Sequence, residues 1–336
     1  MLKILMLLSF FLFEVPAGNG TLVINTWKFS NATKKAWNIV QSGGSAIEAV
    51  TLGCKVCEVD QCDFTVGYGG SPDEKGETTL DAMIFDGTNM DMGAVGGLRR
   101  IKNAIEVARE ILEHTEHSIL VGDLATNFAK ELGYEEQSLS TKYSQDMYKS
   151  WKESTCQPNF WKNVVPDPKE NCGPYNKLSD NDINSHSNRD GFFNSKNHDT
   201  IGMVVMDNSG NIVAGTSSNG AKYKIPGRVG DAPLPGAGAY ADSEVGGAAA
   251  TGDGDVMMRF LPSFLAVEEM RRGSSPTKAA QIAISRITQK FPNFSGGVVV
   301  MSRDGGYGAA CNGMDLFPYC IANKENENVT IKFVKC

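Results

Sequence analysis

The stretch His198-Asp-Thr-Ile-Gly-Met-Val-Val-Met206 joins a long polar segment to a short apolar one. Residues 177–199 are almost wholly Ser, Asn, Asp, Lys and His, and a structureless loop of that length is uncommon unless it is functional. Ile201–Met206 predicts a buried strand, residues 207–210 predict a turn, and residues 211–218 predict the returning strand. The threonine of this stretch therefore stands where a polar loop meets the first strand of a hairpin.

This junction suggests one particular chemistry. If the chain were cut between Asp199 and Thr200, Thr200 would carry a free α-amino group, whose ordinary pKa is about 7.7–8.0. That amine is a general base within reach of the threonine hydroxyl, so one residue would supply both nucleophile and base. Such a site needs neither histidine nor metal, and the chain has only 4 His residues. The alternative is an ordinary threonine at the start of a strand, and the residues alone favour that alternative.

The elements on either side of the hairpin predict a layered protein of the α/β class. Further strands are expected at 22–26, 78–86, 90–95 and 297–302 and as a final pair, and helices at 32–41, 45–59, 101–114, 120–132, 255–271 and 276–289. Glycine-rich loops are expected over 219–254, and a polar linker from about 144 to 199. The order of helix pair, sheet, sheet and helix pair predicts a sandwich whose halves the linker joins.

Length and composition set limits on function. A chain of 336 residues suits one large domain or two small ones, with room for a sizeable core. The formal net charge of -7 is spread along the chain, which argues against nucleic acid and against an anionic membrane as partners. The scarcity of histidine argues against a His-rich metal centre, and the 36 glycines require many tight turns or close backbone approaches.

The N-terminus and the cysteines predict entry into the secretory pathway. Residues 1–17 have the basic start, the apolar run and the small residues of a signal peptide, and the run is shorter than the roughly 20 residues that span a membrane. The 8 cysteines suit an oxidising compartment, although their spacing does not decide their pairing. Four glycosylation sequons agree with this route, at Asn19, Asn31, Asn293 and Asn328.

Three other motifs have structural explanations. Gly236-Ala-Gly-Ala-Tyr-Ala241 matches a dinucleotide-binding pattern but follows Pro233-Leu-Pro235 rather than a strand, so a glycine-rich loop is favoured. His114-Thr-Glu-His117 lacks the spacing of a zinc motif and suits a solvated helix face. Thr251-Gly-Asp-Gly-Asp255 lacks the ligand ladder of a calcium loop. Because the chain has no G-x-S-x-G sequence, a Ser-His-Asp hydrolase is unsupported.

Seven short motifs spread along the mature chain form a recognisable set. They are Asn25-Thr-Trp27, Gly69-Gly-Ser-Pro-Asp-Glu74, Glu77-Thr-Thr-Leu-Asp-Ala82, His198-Asp-Thr-Ile-Gly202, Gly227-Arg-Val-Gly-Asp231, Gly236-Ala-Gly-Ala-Tyr-Ala-Asp242 and Ala250-Thr-Gly252. In these motifs and in their order, the sequence resembles the glycosylasparaginase (aspartylglucosaminidase) family. The similarity extends over essentially the whole mature chain.

The resemblance implies an N-terminal-nucleophile hydrolase with a four-layer αββα sandwich. It implies a precursor that cleaves itself at Asp199–Thr200 into an α chain, about 18–199, and a β chain, 200–336, which together form one domain. The implied reaction is hydrolysis of the amide between N-acetylglucosamine and asparagine during glycoprotein degradation, without metal or cofactor. The implied assembly is a heterotetramer of two α and two β chains. Its implied location is the lysosome, and secretion is the alternative.

The resemblance also implies roles in the reaction. In maturation the Thr200 hydroxyl would attack the Asp199 carbonyl, and in turnover it would form a β-aspartyl ester. The Thr251 hydroxyl and the Gly252 N–H would form the oxyanion hole. Ser218 stands where the family has a threonine that hydrogen-bonds the nucleophile, so the hydroxyl remains without the methyl group.

The implied substrate contacts lie in other motifs. Arg228 would hold the substrate α-carboxylate through its planar fork, and Asp231 would pair with the α-ammonium. This pair would require asparagine with free α-amino and α-carboxyl groups. Trp27 and Ser71 resemble residues that line the nucleophile in the family.

The cysteines follow the family pattern in part. The resemblance implies Cys57–Cys62, Cys156–Cys172 and Cys311–Cys336 and leaves Cys54 and Cys320 open. A further disulfide of the vertebrate-type pattern is absent, because neither 279–282 nor 299–301 contains a cysteine.

Two other functions remain open from the sequence. One is a plain asparaginase or β-aspartyl-peptidase of the same superfamily, although the cysteines near Cys57 and the whole-length match favour the glycan-linked substrate. The other is an uncleaved homologue that keeps the fold for sugar binding or interaction. Against this second alternative, every implied catalytic position keeps its chemistry.

Overall fold

A computed structural model describes residues 20–179 and 200–336. The signal peptide expected at 1–17, the sequon at Asn19 and the residue Asp199 lie outside the described residues. Across the two described ranges, every helix is too short or too polar to span a bilayer.

Both ranges contain strands and helices, mostly in consecutive groups of one kind. The strands, in chain order, are β1 (Leu22–Thr26), β2 (Thr79–Asp86), β3 (Asp91–Arg99), β4 (Ile119–Val121), β5 (Val164–Val165), β6 (Asn176–Lys177), β7 (Ile201–Met206), β8 (Ile212–Ser218), β9 (Ala239–Asp242), β10 (Gly246–Gly252), β11 (Gly296–Ser302), β12 (Tyr307–Asn312), β13 (Leu316–Asn323) and β14 (Asn326–Lys335). The helices are α1 (Ser30–Gln41), α2 (Ala46–Asp60), α3 (Ala104–His114), α4 (Gly122–Glu131), α5 (Lys142–Glu153), α6 (Gly254–Met257), α7 (Pro262–Arg271) and α8 (Pro276–Thr288).

The larger sheet has eight strands in the order β14-β13-β1-β7-β8-β2-β3-β4. Near its centre lies the predicted hairpin of β7 and β8, in which Ile201 is opposite Ser217. Every residue of β1, β7 and β8 is buried, because helices cover one face of the sheet and a second sheet covers the other. The continuous apolar run of β7 follows from this double burial, since neither face meets water.

The smaller sheet, in the order β12-β11-β10-β9, corrects one prediction. Residues 219–254, expected to be glycine-rich loops, contain β9 and β10 and the start of α6. The glycines and alanines of β10 have low strand propensity, but they let this strand lie close to the larger sheet. A Cβ on Gly247 would lie 2.5 Å from Val204 Cγ1. Close contact between the sheets, rather than local preference, therefore stabilises β10 as a strand.

Helices complete a four-layer arrangement. On the larger sheet, α2 packs against β7 and β8, and α3 packs against β2 and β3. On the outer face of the smaller sheet, α7 packs against β10 and β11, and α8 against β11 and β12. The inner faces of the two sheets meet where β10 crosses β7 and β8. The predicted αββα sandwich is confirmed.

One predicted helix is interrupted. Residues 255–271 form α6 and α7 rather than a single helix, because Leu261 adopts a left-handed backbone conformation with φ of 51°. Pro262 then begins α7, a position in which its missing N–H removes no helical hydrogen bond.

The expected polar linker at about 144–199 is wrong in its first part. Lys142–Glu153 forms α5, which begins with a capping box. Its Trp151 is buried and stacks on Tyr223, with 4.9 Å between ring centroids. Tyr143 of the same helix stacks on Phe64, and these aromatic contacts anchor a helix whose other residues are mostly polar, which explains the weak apolar periodicity. Beyond α5, the chain forms the short antiparallel pair of β5 and β6.

Three disulfides form within the described residues, and they are the three pairs that the resemblance implies: Cys57–Cys62, Cys156–Cys172 and Cys311–Cys336. The last of them links β12 of the smaller sheet to the residue after β14 of the larger sheet. Cys54 and Cys320 are buried free thiols. Burial raises the pKa of Cys320 to about 11, so this thiol stays protonated and unreactive near neutral pH.

Three of the predicted glycosylation sites lie on the surface. The side chains of Asn31, Asn293 and Asn328 are exposed. A glycan on any of them would therefore extend into solvent without disturbing the core.

Candidate active site

The ends of neighbouring strands meet at one edge of the sandwich. β1 ends at Thr26 beside the start of β7, and β8 ends at Ser218 on the other side of β7, because both pairs run antiparallel. From the smaller sheet, β10 ends at Thr251 and Gly252 and packs on β7 and β8. Thr200, one residue before β7, therefore lies among three strand ends.

The hydroxyl of Thr200 has one acceptor. Thr200 Oγ1 donates to Ser218 Oγ at 3.1 Å, and the Gly220 N–H donates to the same Ser218 oxygen at 2.9 Å. The Thr200 carbonyl accepts from Thr26 Oγ1 at 2.7 Å. Both Thr200 and Ser218 are buried. The hydroxyl is thus held in a fixed direction by a neighbour that itself stands on a fixed turn.

A second hydroxyl lies against the backbone of Thr200. Thr251 Oγ1 accepts from the Thr200 N–H at 3.0 Å and from the indole Nε1–H of Trp27 at 3.0 Å. An edge-on contact with Phe317, 5.3 Å between ring centroids, orients the indole. Because these two bonds use the oxygen as an acceptor, the Thr251 hydroxyl proton remains free to donate to another group.

The residue after Thr251 must be glycine. Gly252 has φ of 136°, and a Cβ there would lie 2.4 Å from Gly296 Cα. A side chain would therefore separate β10 from β11 at the edge where Thr251 meets Thr200.

Among the described residues, the guanidinium of Arg228 has a partner on one side and none at Nη1. Asp255 accepts from Arg228 Nε at 3.2 Å and from Nη2 at 2.9 Å. Glycines make room for the group: a Cβ on Gly220, Gly230 or Gly254 would lie within 3.2 Å of one of its nitrogens. The arginine thus keeps a second polar edge, at Nη1, for another anion.

Asp231 is buried beside Arg228. The Asp231 side chain and Arg228 Nη2 both lie close to the position that a Cβ on Gly254 would take. Burial raises the pKa of Asp231 to about 7, although the neighbouring Arg228 opposes the rise. A cation bound beside this carboxyl would favour its ionised form and lower its pKa.

Five buried side-chain atoms have no hydrogen-bond partner among the described residues. They are Ser71 Oγ, Arg228 Nη1, Asp231 Oδ2, Glu58 Oε2 and Asn219 Oδ1. Three of them belong to predicted substrate residues, whereas buried polar atoms in folded proteins are nearly always paired. This distribution indicates polar surface suited to a ligand that carries both an anion and a cation.

The motifs with structural explanations take structural roles. Asp253 begins α6 by accepting from the Val256 N–H, and Asp255 pairs with Arg228. Residues 236–238 lead into β9, which contains the rest of that motif, rather than into a helix. His114 ends α3 in an exposed pair with Glu110. Within 20–179 and 200–336, no group of three His, Cys, Asp or Glu residues is placed to hold a metal ion.

Two contributors to the site were missed from the sequence. Asp255 lies in the motif 251–255, whose pattern suggests no more than a calcium loop, and its spacing from Thr251 is the available signal. Lys224 is buried within four residues of Arg228, yet no sequence pattern distinguishes it from the half-buried Lys222. The positions of Asp255 and Lys224 in the site both depend on how the chain around Arg228 folds back on itself.

Comparison with known proteins gives a consistent result. The sequence profile of a family described as asparaginase matches residues 13–331. A mouse protein named N(4)-(beta-N-acetylglucosaminyl)-L-asparaginase is 56% identical over 320 residues, which cover 94% of this chain and 92% of the mouse protein. A rat protein of the same name is 57% identical over 296 residues, which cover 88% of this chain and 85% of the rat protein.

Proposed function

Since this chain belongs to the asparaginase family, a family of N-terminal-nucleophile hydrolases, we propose that it hydrolyses the amide between N-acetylglucosamine and asparagine, with Thr200 as its nucleophile. The names of the mouse and rat relatives support this substrate. The observation that carries the proposal is local: the Thr200 hydroxyl donates to Ser218 while the Thr200 N–H donates to Thr251.

Maturation would use the same hydroxyl. Thr200 Oγ1 attacks the Asp199 carbonyl carbon, the peptide C–N bond breaks, and the Asp199 acyl group is transferred from nitrogen to oxygen. Water then hydrolyses this ester, which releases the Asp199 carboxyl group and restores the Thr200 hydroxyl. The α-amine produced at Thr200 has an ordinary pKa of about 7.7–8.0 and is a base near neutral pH.

In turnover, that amine would accept the hydroxyl proton while Oγ1 attacks the substrate amide carbon. The C–N bond breaks, the ammonium returns its proton to the leaving glycosylamine, and a β-aspartyl ester remains on Thr200. Water hydrolyses the ester and releases aspartate. The free proton of the Thr251 hydroxyl and the Gly252 N–H would stabilise the oxygen that gains negative charge; loss of one such donor typically lowers the rate by about 10²–10³.

The amino-acid end of the substrate would lie on the unpartnered atoms. Its α-carboxylate would accept from Arg228 Nη1, and its α-ammonium would donate to Asp231 Oδ2, so both orphaned atoms gain partners. We propose Trp27 and Ser71 as the residues that line the nucleophile. Trp27 is buried against Thr251, and Ser71 keeps a buried hydroxyl that has no partner in the part of the chain that the structure describes.

The wider setting follows from the sequence. We propose that the protein enters the secretory pathway through residues 1–17, carries glycans at its sequons and works in the lysosome. It assembles as two α and two β chains. The three disulfides suit such an oxidising route.

The experiment compares three substrates and two variants. Purified protein is given N-acetylglucosaminyl-asparagine, free asparagine or a β-aspartyl dipeptide, and released aspartate is measured. We expect the highest kcat/KM for the glycosylated asparagine, its loss in Thr200→Val, which keeps the shape without the hydroxyl, and its partial retention in Thr200→Ser. Preference for the dipeptide would support the peptidase alternative, and inactivity on all three substrates would contradict the proposal.

A further inference from the structure

Lys224 has one of the largest fully buried side chains among the described residues, with 1% of its surface exposed. Lysine is almost never fully buried unless its charge is paired. Within the part of the chain that the structure describes, Lys224 forms no ion pair. Its Nζ donates to the Asn219 carbonyl at 2.7 Å and approaches the Thr79 carbonyl at 3.4 Å. The buried ammonium of Lys224 thus holds the backbone at Asn219 through a hydrogen bond.

The backbone that it holds carries the acceptor of the nucleophile. Asn219 lies between Ser218, which accepts from Thr200, and Gly220, whose N–H donates to Ser218 Oγ. Gly220 has φ of 71°, and a Cβ there would lie 3.1 Å from Lys224 Nζ. The ammonium therefore lies directly behind the turn 218–220, on which the direction of the Ser218 hydroxyl depends.

Lys224 is itself fixed by a neighbouring loop. Its carbonyl accepts from the Glu74 N–H at 2.9 Å, and the Tyr223 N–H donates to the Pro72 carbonyl at 2.6 Å. Tyr223 in turn stacks on Trp151 of α5. The lysine thus connects the turn 218–220 to the loop 72–74 and, through Tyr223, to α5.

We propose that Lys224 is a positioning residue, whose ammonium fixes the turn 218–220 and through it the Ser218 hydroxyl that orients Thr200. The proposal rests on the proposed function, because it takes Thr200 as the nucleophile. Without the ammonium, the buried Asn219 carbonyl loses its charge-assisted hydrogen bond and the turn moves to find another donor. Arg228, whose Nη1 also borders Gly220, keeps its ion pair with Asp255, so we expect substrate binding to change less than the orientation of Thr200.

Charged groups face the ammonium from three directions: Asp81 from β2, Asp73 from the loop before β2, and Arg228 from its own loop. Burial lowers the pKa of Lys224 to about 8, although Asp81 opposes the shift. Loss of the proton above this pH weakens the bond to Asn219. The α-amine of Thr200 gains activity as it deprotonates, so its titration changes the rate in the opposite direction.

The experiment compares Lys224→Met, which keeps the length of the side chain without its charge, with Lys75→Met, which removes an exposed lysine on the neighbouring loop. We expect Lys224→Met to lower kcat at least about tenfold, with KM within about threefold of wild type, because the nucleophile loses its orientation while Arg228 keeps its ion pair with Asp255. We also expect wild type to show a decline of kcat as Lys224 loses its proton near pH 8, and the variant to lack this decline. Lys75→Met behaves as wild type.

Three outcomes would overturn the proposal: kcat within about threefold of wild type, a rise in KM that accounts for the whole loss, or an unchanged alkaline limb. Lys224→Gln replaces Lys224→Met if the latter does not fold. A crystal structure of the variant gives a readout that needs no activity, namely whether the Gly220 N–H still contacts Ser218 Oγ. A turn left in place contradicts this inference even if wild type is inactive, whereas an inactive wild type with a displaced turn contradicts only the proposed function.

Discussion

Thr200 is surrounded by hydroxyl groups rather than by the usual acids and bases. Ser218 accepts from its hydroxyl, Thr251 accepts from its N–H, and Thr26 donates to its carbonyl. None of these groups titrates near neutral pH, so in the proposed mechanism the base that activates the hydroxyl would come from Thr200 itself. Release of the α-amine by cleavage would therefore both create the base and start the enzyme.

Ser218 offers the first test at this scale. In Ser218→Ala the Thr200 hydroxyl loses its acceptor, and we expect kcat to fall about 10–10²-fold because the nucleophile is no longer oriented. Ser218→Thr restores the residue that the family places here and is expected to keep wild-type activity. Steady-state kinetics of both variants check this, and equal kcat for Ser218→Ala and wild type would remove Ser218 from the mechanism.

Asp231 offers a test by stability. Its pKa of about 7 in the folded protein lies above the ordinary value of 3.8, so its ionisation opposes folding. Wild type therefore loses stability as the pH rises from 3.8 to about 7, and Asp231→Asn lacks this loss. We expect the melting temperature of Asp231→Asn to exceed that of wild type at pH 8 and the difference to shrink towards pH 4, while activity is lost. A difference that does not change with pH would contradict this account.

At the scale of elements, the site depends on how closely β10 approaches β7 and β8. Gly247 faces Val204 across the interface, and Ile212 Cγ2 lies 3.1 Å from the position of a Cβ on Gly247. Small residues along β10 thus bring Thr251 to Thr200. The same residues hide the strand from sequence analysis, because local propensity favours a loop there.

Gly247→Ala tests this contact. Its Cβ would lie 2.5 Å from Val204 Cγ1, and overpacking of this kind lowers the free energy of unfolding by about 1–3 kcal/mol. The control is Gly20→Ala, whose Cβ would lie 3.6 Å from its nearest neighbour, at ordinary contact distance. Urea denaturation measures both variants. If Gly247→Ala and Gly20→Ala have equal free energies of unfolding, the contact between β10 and the larger sheet is looser than this distance implies.

Elements with a strong pattern were predictable, and those that depend on partners were not. β7 is an apolar run, and α3 and α4 follow clear helical periods. In contrast, α5 depends on the stacking of Trp151 against Tyr223, and the break between α6 and α7 depends on the backbone of Leu261. Tertiary contacts of this kind leave little trace in local sequence.

At the scale of the whole molecule, the resemblance supplied the site residues, and the fold explains how they meet. Thr200 and Thr251 are 51 residues apart, and only the packing of two sheets brings them within hydrogen-bond distance. The partners of the site were beyond the sequence for the same reason. Asp255 and Lys224 reach the site because the glycines around Arg228 leave room for the loop that brings these residues together.

The central claim is that Thr200 becomes an N-terminal nucleophile. The most direct test is the N-terminal sequence of each chain of the purified protein, separated on a reducing gel. We predict two chains, the smaller beginning Thr-Ile-Gly-Met-Val, and a single uncleaved chain in Thr200→Val. A wild-type protein that hydrolyses the glycosylated asparagine as one uncleaved chain, or that is cut elsewhere, would contradict the account.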